Sequence, residues 1–446
     1  MTSKSGPPKK LVTRTASGAL NARAHLLIPG GGHTYAKADD QFPEDMPIIV
    51  ARGAGCRIWD VDGNEYIEFG MGLRAVTLGH AFAPVVAAAR DALCLGTNYS
   101  RPSAIEVQCA ETLQALIASA EMVKFCKNGS DALDGAIKLA RAYTGRTKIA
   151  ICGDHPFFSV GDWFIGSTAM PGGIPQWIRD QTLRFTYNDL ASLAALFDRY
   201  PQEIASVVME ASRIDEPQPG FLQGVHDLCR ARGAIFVLDE MITGFRWHRS
   251  GAQHVYGVRP DLSTFGKALS NGFSVSALAG RRDLMEAGGL RAPGERVFLL
   301  STTHGAETHE LAAAIATMRF YVDNDVTGVL HALGARLRSR IEDAARALGV
   351  QDHFKLLGRD CNLVYAARDA AGQGSNAFRT LFLQETIERG MIAPSLVVSY
   401  SHSEADIDAA AEIVYRALEV YRDALKNGIQ HYLRGRPVRP VMRPFV

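Results

Sequence analysis

From about residue 104 to 280 the chain alternates stretches of helical spacing with short apolar runs. Among these runs are Lys148-Ile-Ala-Ile-Cys152, Ala205-Ser-Val-Val-Met209 and Ala234-Ile-Phe-Val-Leu238. Few folds accept this pattern. Apolar runs without polar alternation read as strands buried on both faces, and the intervening helices cover those faces. The expectation is an α/β core built on a mostly parallel sheet. Ligands of open α/β sheets collect at the carboxyl ends of the strands. The residues just past each apolar run therefore carry the most functional weight.

At 446 residues the chain is too long for one small core. Beyond about residue 310, helical patterns at Leu311 to Val322, Gly328 to Leu348, Asn376 to Arg389 and Glu404 to Leu425 flank a strand near Asn362-Leu-Val-Tyr365. That is the pattern of a smaller α+β domain. Residues 56 to 69 alternate apolar and polar around Asp62-Gly63, a hairpin signal. The reading assigns 1–25 to a flexible tail and 26–80 to the first part of the small domain. It assigns 81–325 to the large domain and 326–446 to the rest of the small one. Residues 1 to 10 are basic and polar with no apolar stretch behind them, which reads as a tail rather than a signal peptide.

Composition mainly excludes. A net charge of +1 points to neither nucleic acid nor an anionic membrane as partner. No run of 18 apolar residues suggests a membrane span. The seven cysteines are scattered without a CxxC pair. That suits reduced, buried thiols in a cytoplasmic protein and offers no metal site.

Two strand-end residues carry the chemistry. Asp239 closes the run 234–238, and Lys267 follows 28 residues later in Ser263-Thr-Phe-Gly-Lys-Ala-Leu-Ser-Asn-Gly272. Alone, the acid reads equally well as a turn or cap residue, and the lysine as a surface loop residue. Together they are the pair that pyridoxal phosphate chemistry needs. The lysine forms the Schiff base and shuttles protons, and the acid pairs with the pyridinium nitrogen. Asn128-Gly129-Ser130 opens the amphipathic stretch 131–141, so it is either a plain helix cap or a phosphate site on a helix N-terminus. Ser301-Thr302-Thr303-His304-Gly305 offers hydroxyls before another helix, as caps or as a phosphate contact to a second subunit.

These residues lie among further motifs: Pro29-Gly-Gly31, Trp59-Asp-Val-Asp-Gly63, Leu78-Gly-His80, Gly220-Phe-Leu-Gln-Gly224, Asp239-Glu-Met-Ile-Thr-Gly-Phe-Arg246, Ala393-Pro-Ser395 and Glu404-Ala-Asp-Ile-Asp408. Together they resemble the class III (omega) aminotransferase family of fold-type I pyridoxal phosphate enzymes. Within it the likeness is greatest to the glutamate-1-semialdehyde 2,1-aminomutase group, and it runs from about Ile28 to Leu425. The resemblance implies a large domain with a mostly parallel seven-stranded sheet, and a smaller α+β domain made from both chain ends. It implies Lys267 as the Schiff-base lysine and Asp239 at the ring nitrogen. Asn128, Gly129 and Ser130 fall at the phosphate cup, and Glu210 near the ring substituents. Thr302 falls where a partner subunit's threonine meets the phosphate, so a homodimer is implied.

The chain also departs from the family pattern. His155 falls where the family has an aromatic over the ring face, with Phe157 as the alternative. Lys127 replaces the usual Asn before the cup, which adds a cation. At the substrate end, His33-Thr-Tyr-Ala-Lys37 replaces the aminomutase's Ser-Pro-Val-Arg. Leu73, with Arg74 beside it, replaces its Trp, and the stretch 395–402 is shorter and lacks its acid. Lys37, Arg74 and Arg101 are candidates to grip an anionic group, or else solvated charges. The expectation is an aminotransferase working in a ping-pong cycle. It would move an amino group from a donor such as glutamate to an aldehyde or ketone of a small anionic or sugar-like metabolite. An intramolecular aminomutase is the alternative, and a non-catalytic binding protein of this fold the remote one. Glu240, Thr243 and Arg246 read as structural.

Overall fold

The computed structural model describes residues 13–155, 157–212, 214–292 and 294–439. The chain divides into two compact units, Met1–Leu73 with His331–Val446, and Arg74–Leu330. The sequence reading drew its lines after residues 80 and 325.

The first unit begins with a helix at Thr15–Leu27, which corrects the reading of 1–25 as a tail; residues 1–12 lie outside the described residues. This helix lacks a clear apolar stripe, so periodicity could not reveal it. A distant carboxylate starts it instead. Asp62 accepts the N–H groups of Ala16 and Ser17 at 2.8 and 2.9 Å, satisfying donors that every helix start leaves open. Strands β1 (Val50–Ala54), β2 (Arg57–Asp60) and β3 (Glu65–Glu68) follow as an antiparallel meander. The β2–β3 turn is the expected hairpin. Gly63 takes φ 85° there, and Asp60 Oδ1 accepts the amides of Asp62 and Asn64.

The second unit contains β4 (Met122–Cys126), β5 (Lys148–Cys152), β6 (Thr182–Phe185), β7 (Ile204–Glu210), β8 (Ile235–Asp239), β9 (Leu262–Phe265) and β10 (Ser276–Gly280). They form one seven-stranded sheet in the order β4-β10-β9-β8-β7-β5-β6. Only β10 runs against its neighbours. Every residue of β7 and β8 is buried, which explains why both are mostly apolar up to the acid that ends each. The parallel strands share one carboxyl edge. From it the chain passes into Asn128, His155, Glu210, Asp239 and Lys267.

The chain then returns to the first unit. β11 (Phe354–Leu357) pairs antiparallel with β12 (Val364–Ala367). The strand expected at 362–365 thus begins two residues later, after a tight turn at Asp360–Asn362. β13 (Met391–Ile392) joins β3 in parallel and completes the sheet β1-β2-β3-β13. Met46, Ile58 and Tyr66 share one core with Leu383, Ile387, Ile392 and Val438. Helices Asn376–Glu388 and Glu404–Asn427 cover this unit. No described helix is long and apolar enough to cross a membrane.

Candidate active site

Sheet register sets the centre of the site. Glu210 lies opposite Asp239 across β7 and β8, and Asp239 lies opposite Thr264 across β8 and β9. Three polar side chains therefore stand in a row at the carboxyl edge of the sheet. Asp239 and Glu210 are each only 2% exposed. Asp239 Oδ1 accepts the Met241 amide at 2.9 Å and the Thr264 hydroxyl at 3.1 Å. Burial first, then repulsion from Glu210, pushes the Asp239 carboxyl up to about 7, while Lys267 pulls the other way.

Lys267 stands two residues past β9 with φ 43°, in the left-handed region. A residue without Gly's freedom is strained there, and such strain persists where surrounding structure enforces it. The enforcement is visible on the following turn. Asn271 Oδ1 accepts the Leu78 amide at 2.8 Å, and its Nδ2 donates to the Gly79 carbonyl at 3.0 Å. Lys267 as a residue is only partly covered, yet its amine has dense surroundings. Burial lowers its pKa; Asp239 and Glu210 oppose that, and Arg74 and Arg246 add to it. The net direction is down, toward a neutral amine. At Gly266 a Cβ would come within 2.5 Å of Ser276 Oγ and 2.7 Å of Met241 Sδ, so a larger residue there would have to push both side chains aside.

The triplet 128–130 opens the helix Gly129–Thr144, as its pattern predicts. Asn128 caps it, with Oδ1 accepting the Asp131 amide at 3.1 Å and Nδ2 donating to the Asp131 carboxylate at 3.0 Å. Its side chain is thus engaged in the cap. The first-turn amides of Gly129 and Ser130 are the ones available to an anion. Ser130 is buried, and its Oγ accepts the Val160 amide at 3.0 Å, so its hydroxyl proton remains to be donated.

His155 is 7% exposed and reaches the same row. Its Nδ1 accepts the Glu210 amide at 3.0 Å. Beside it opens a cavity of about 340 Å³ lined by Asp154, His155, Tyr187, Asn188 and Asp215. A larger cavity of about 560 Å³ lies at the other end of the sheet, around Ala234, Ile235, Pro260 and Asp261. It contains none of the expected site residues.

The remaining expected residues divide. Arg74 contributes to the field at Lys267, and its carbonyl accepts Arg246 at 2.6 Å. Arg101 is exposed on the loop before helix Ala104–Leu116. Lys37 is exposed and belongs to the first unit. Thr302 is exposed ahead of helix Thr308–Asp323. The cation expected from Lys127 is already paired: its ammonium sits 2.6 Å from Glu307 and also bonds Glu310. Those two acids and His309 bring ligand atoms within 4.8 Å of one another, and the lysine neutralises the acids.

Sequence reasoning missed Thr264. Its signal was its place three residues before Lys267, in the strand that must neighbour β8. Glu240 acts structurally, accepting the Ala252 and Gln253 amides at 2.9 Å each at the start of helix Gly251–Tyr256. Arg246 is fully buried and also donates to Thr77 at 3.0 Å.

The fold and this strand-end site define a fold-type I pyridoxal phosphate transferase. Residues 39–358 match the class-III aminotransferase family model, and the chain belongs to that family. The glutamate-1-semialdehyde 2,1-aminomutase of Desulforudis audaxviator (strain MP104C) is 34% identical over 419 residues, covering 89% of this chain and 96% of that protein. Its counterpart in Desulfitobacterium hafniense (strain DSM 10664 / DCB-2) is 33% identical over 430 residues, covering 91% and 97%. Among solved structures, the internal aldimine form of Sphingopyxis sp. MTA144 FumI protein matches with a TM-score of 0.85 at 28% identity, covering 95% of this chain and 98% of that one. An omega-transaminase from Sphaerobacter thermophilus matches with a TM-score of 0.82 at 26% identity, covering 91% and 98%.

Proposed function

We propose that this chain is a pyridoxal phosphate-dependent aminotransferase that carries an amino group from an amino acid donor to a small aldehyde or ketone. The observation that carries the reading is the buried row Glu210–Asp239–Thr264 with the Lys267 amine beside it. A buried carboxylate is costly unless a cation or donor meets it. Asp239 receives both of its protein bonds on Oδ1, so Oδ2 is the oxygen that suits a protonated ring nitrogen. The residues therefore fit the cofactor.

Pyridoxal phosphate, when bound, supplies an electron sink for the substrate's α-carbon. The chain's residues do the rest. Lys267 Nζ would anchor the cofactor, and burial lowers its pKa, the direction that favours a neutral amine for taking and returning the α-proton. Asp239 would hold the ring nitrogen, with Glu210 adding to the negative field at that edge. The amides of Gly129 and Ser130 would hold the phosphate, joined in a homodimer by the partner subunit's Thr302. Arg74 suits an anionic substrate group. Lys37 and Arg101 are weaker choices, since both are exposed.

Aminotransferase chemistry is favoured over isomerisation by the changed substrate-end residues at 33–37, 73 and 395–402. The aminomutase reading keeps its own support in the curated relatives at 33–34% identity.

One experiment separates them. The absorption spectrum of the protein with pyridoxal phosphate is followed as L-glutamate is added. Conversion of the visible band to the pyridoxamine form, with 2-oxoglutarate released in amounts equal to enzyme, is the expected result. A band that no common amino acid discharges, but that amino-aldehydes do, favours the aminomutase. Absence of a band, or a band that survives Lys267→Ala, refutes the cofactor reading.

A further inference from the structure

His155 makes a bond that a hydrocarbon ring cannot make. The β5–β7 ladder runs through Ile151 and Val208. Past that pair the chain turns, with the His155 amide donating to the Cys152 carbonyl at 3.2 Å. The imidazole then supplies the acceptor for the Glu210 amide, at 3.0 Å from Nδ1. A backbone N–H can only donate, so Nδ1 holds a lone pair, and a neutral ring carries its proton on Nε2.

Tyr187 works on the next residue. Its ring lies 5.2 Å from the imidazole, and its hydroxyl donates to the Ala211 carbonyl at 2.8 Å. Two adjacent rings thus clamp the backbone of Glu210 and Ala211. On its other side Glu210 is in register with Asp239.

We propose that His155 is a positioning residue for Glu210: its Nδ1 lone pair fixes the end of β7 and so sets the Glu210 carboxylate beside Asp239. This task is separate from covering the cofactor ring, and it rests on the cofactor reading above. A phenylalanine or tyrosine stacks equally well but has no in-plane lone pair to offer.

The two tasks come apart in two variants. H155F keeps a flat ring and removes the acceptor. H155N removes the ring and keeps an acceptor oxygen close to the Nδ1 position. The holoenzymes are compared by pH titration of the visible band and by the rate of the donor half-reaction, and the cofactor-free forms by melting temperature. H155F is expected to move the titration midpoint, slow the half-reaction roughly ten-fold and melt lower, because a buried amide loses its partner. H155N is expected to keep the wild-type titration midpoint and melting temperature, because an acceptor remains for the Glu210 amide, whatever rate it loses with the ring. In an E210Q background, H155F is expected to add less than about two-fold, since it acts through Glu210.

A silent H155F, an H155N that shifts the midpoint and melts as low as H155F, or effects that multiply in the E210Q background each overturn the proposal. If H155F does not fold, the titration midpoint and melting temperature of H155N against wild type decide. A wild-type protein with no visible band defeats the cofactor reading, whereas a normal band with a silent H155F defeats only the positioning role.

Discussion

Asp239→Asn should make the cofactor-free protein more stable while abolishing its chemistry. Asparagine keeps the shape, and its Oδ1 can still accept the Met241 amide and the Thr264 hydroxyl. It removes a buried charge that faces Glu210. The carboxyl moves from 3.8 up to about 7 on folding. At about 1.4 kcal/mol per tenfold, ionising it in the native state costs about 4 kcal/mol above pH 7. The attraction of Lys267 is already counted in that value, so the gain from Asn is at most about 4 kcal/mol.

The pH dependence has a defined sign. Between about pH 4 and 7 the native protein keeps a proton that the unfolded chain has released, so wild-type stability falls as pH rises through that window. Above it the effect is complete. The advantage of the variant should therefore be near zero at about pH 4, grow up to about pH 7 and then level off. Urea or thermal melts of both cofactor-free proteins across that range test it. Equal gains at every pH, or a less stable variant at about pH 8, would refute the reasoning. On the proposed function, in which Asp239 pairs with the ring nitrogen, the same variant should lose at least about 100-fold in the half-reaction.

Lys127→Ala leaves Glu307 and Glu310 without their shared ammonium. The lysine's hydrogen bond holds the Glu307 carboxyl below its usual range. That stabilisation is present above the unfolded pKa and fades as pH falls, so the variant should melt lower near neutrality and converge with wild type in acid. Gly334→Ala would bring a Cβ within 1.9 Å of the Asp360 carbonyl oxygen, which is backbone and cannot swing aside. A loss of about 1–3 kcal/mol is expected in a denaturant melt, and an unchanged midpoint would refute the packing argument.

Much of the cofactor side was legible because it rests on local signals. The triplet 128–130 caps its helix through a bond spanning three residues. Asp239 and Lys267 follow apolar runs, so their strand-end positions follow from spacing alone. The Thr15–Leu27 helix was not legible, because Asp62 starts it from 46 residues away. The pairing of the Lys127 cation was not legible for the same reason, since its acids lie 180 and 183 residues further along.

By itself the sequence determined the α/β class, several strands of the core, the helix start at 128–130 and the identity of the acid and the amine. These follow from periodicity and short-range hydrogen bonding, which act along the chain. Only the tertiary structure decided which side chains share an electric field. Strand order brings Glu210, Asp239 and Thr264 into one row, and it carries the His155 imidazole to the Glu210 amide across 55 residues. Their pKa shifts come from burial and from charges on neighbouring strands. Neither quantity exists until the sheet has closed around them.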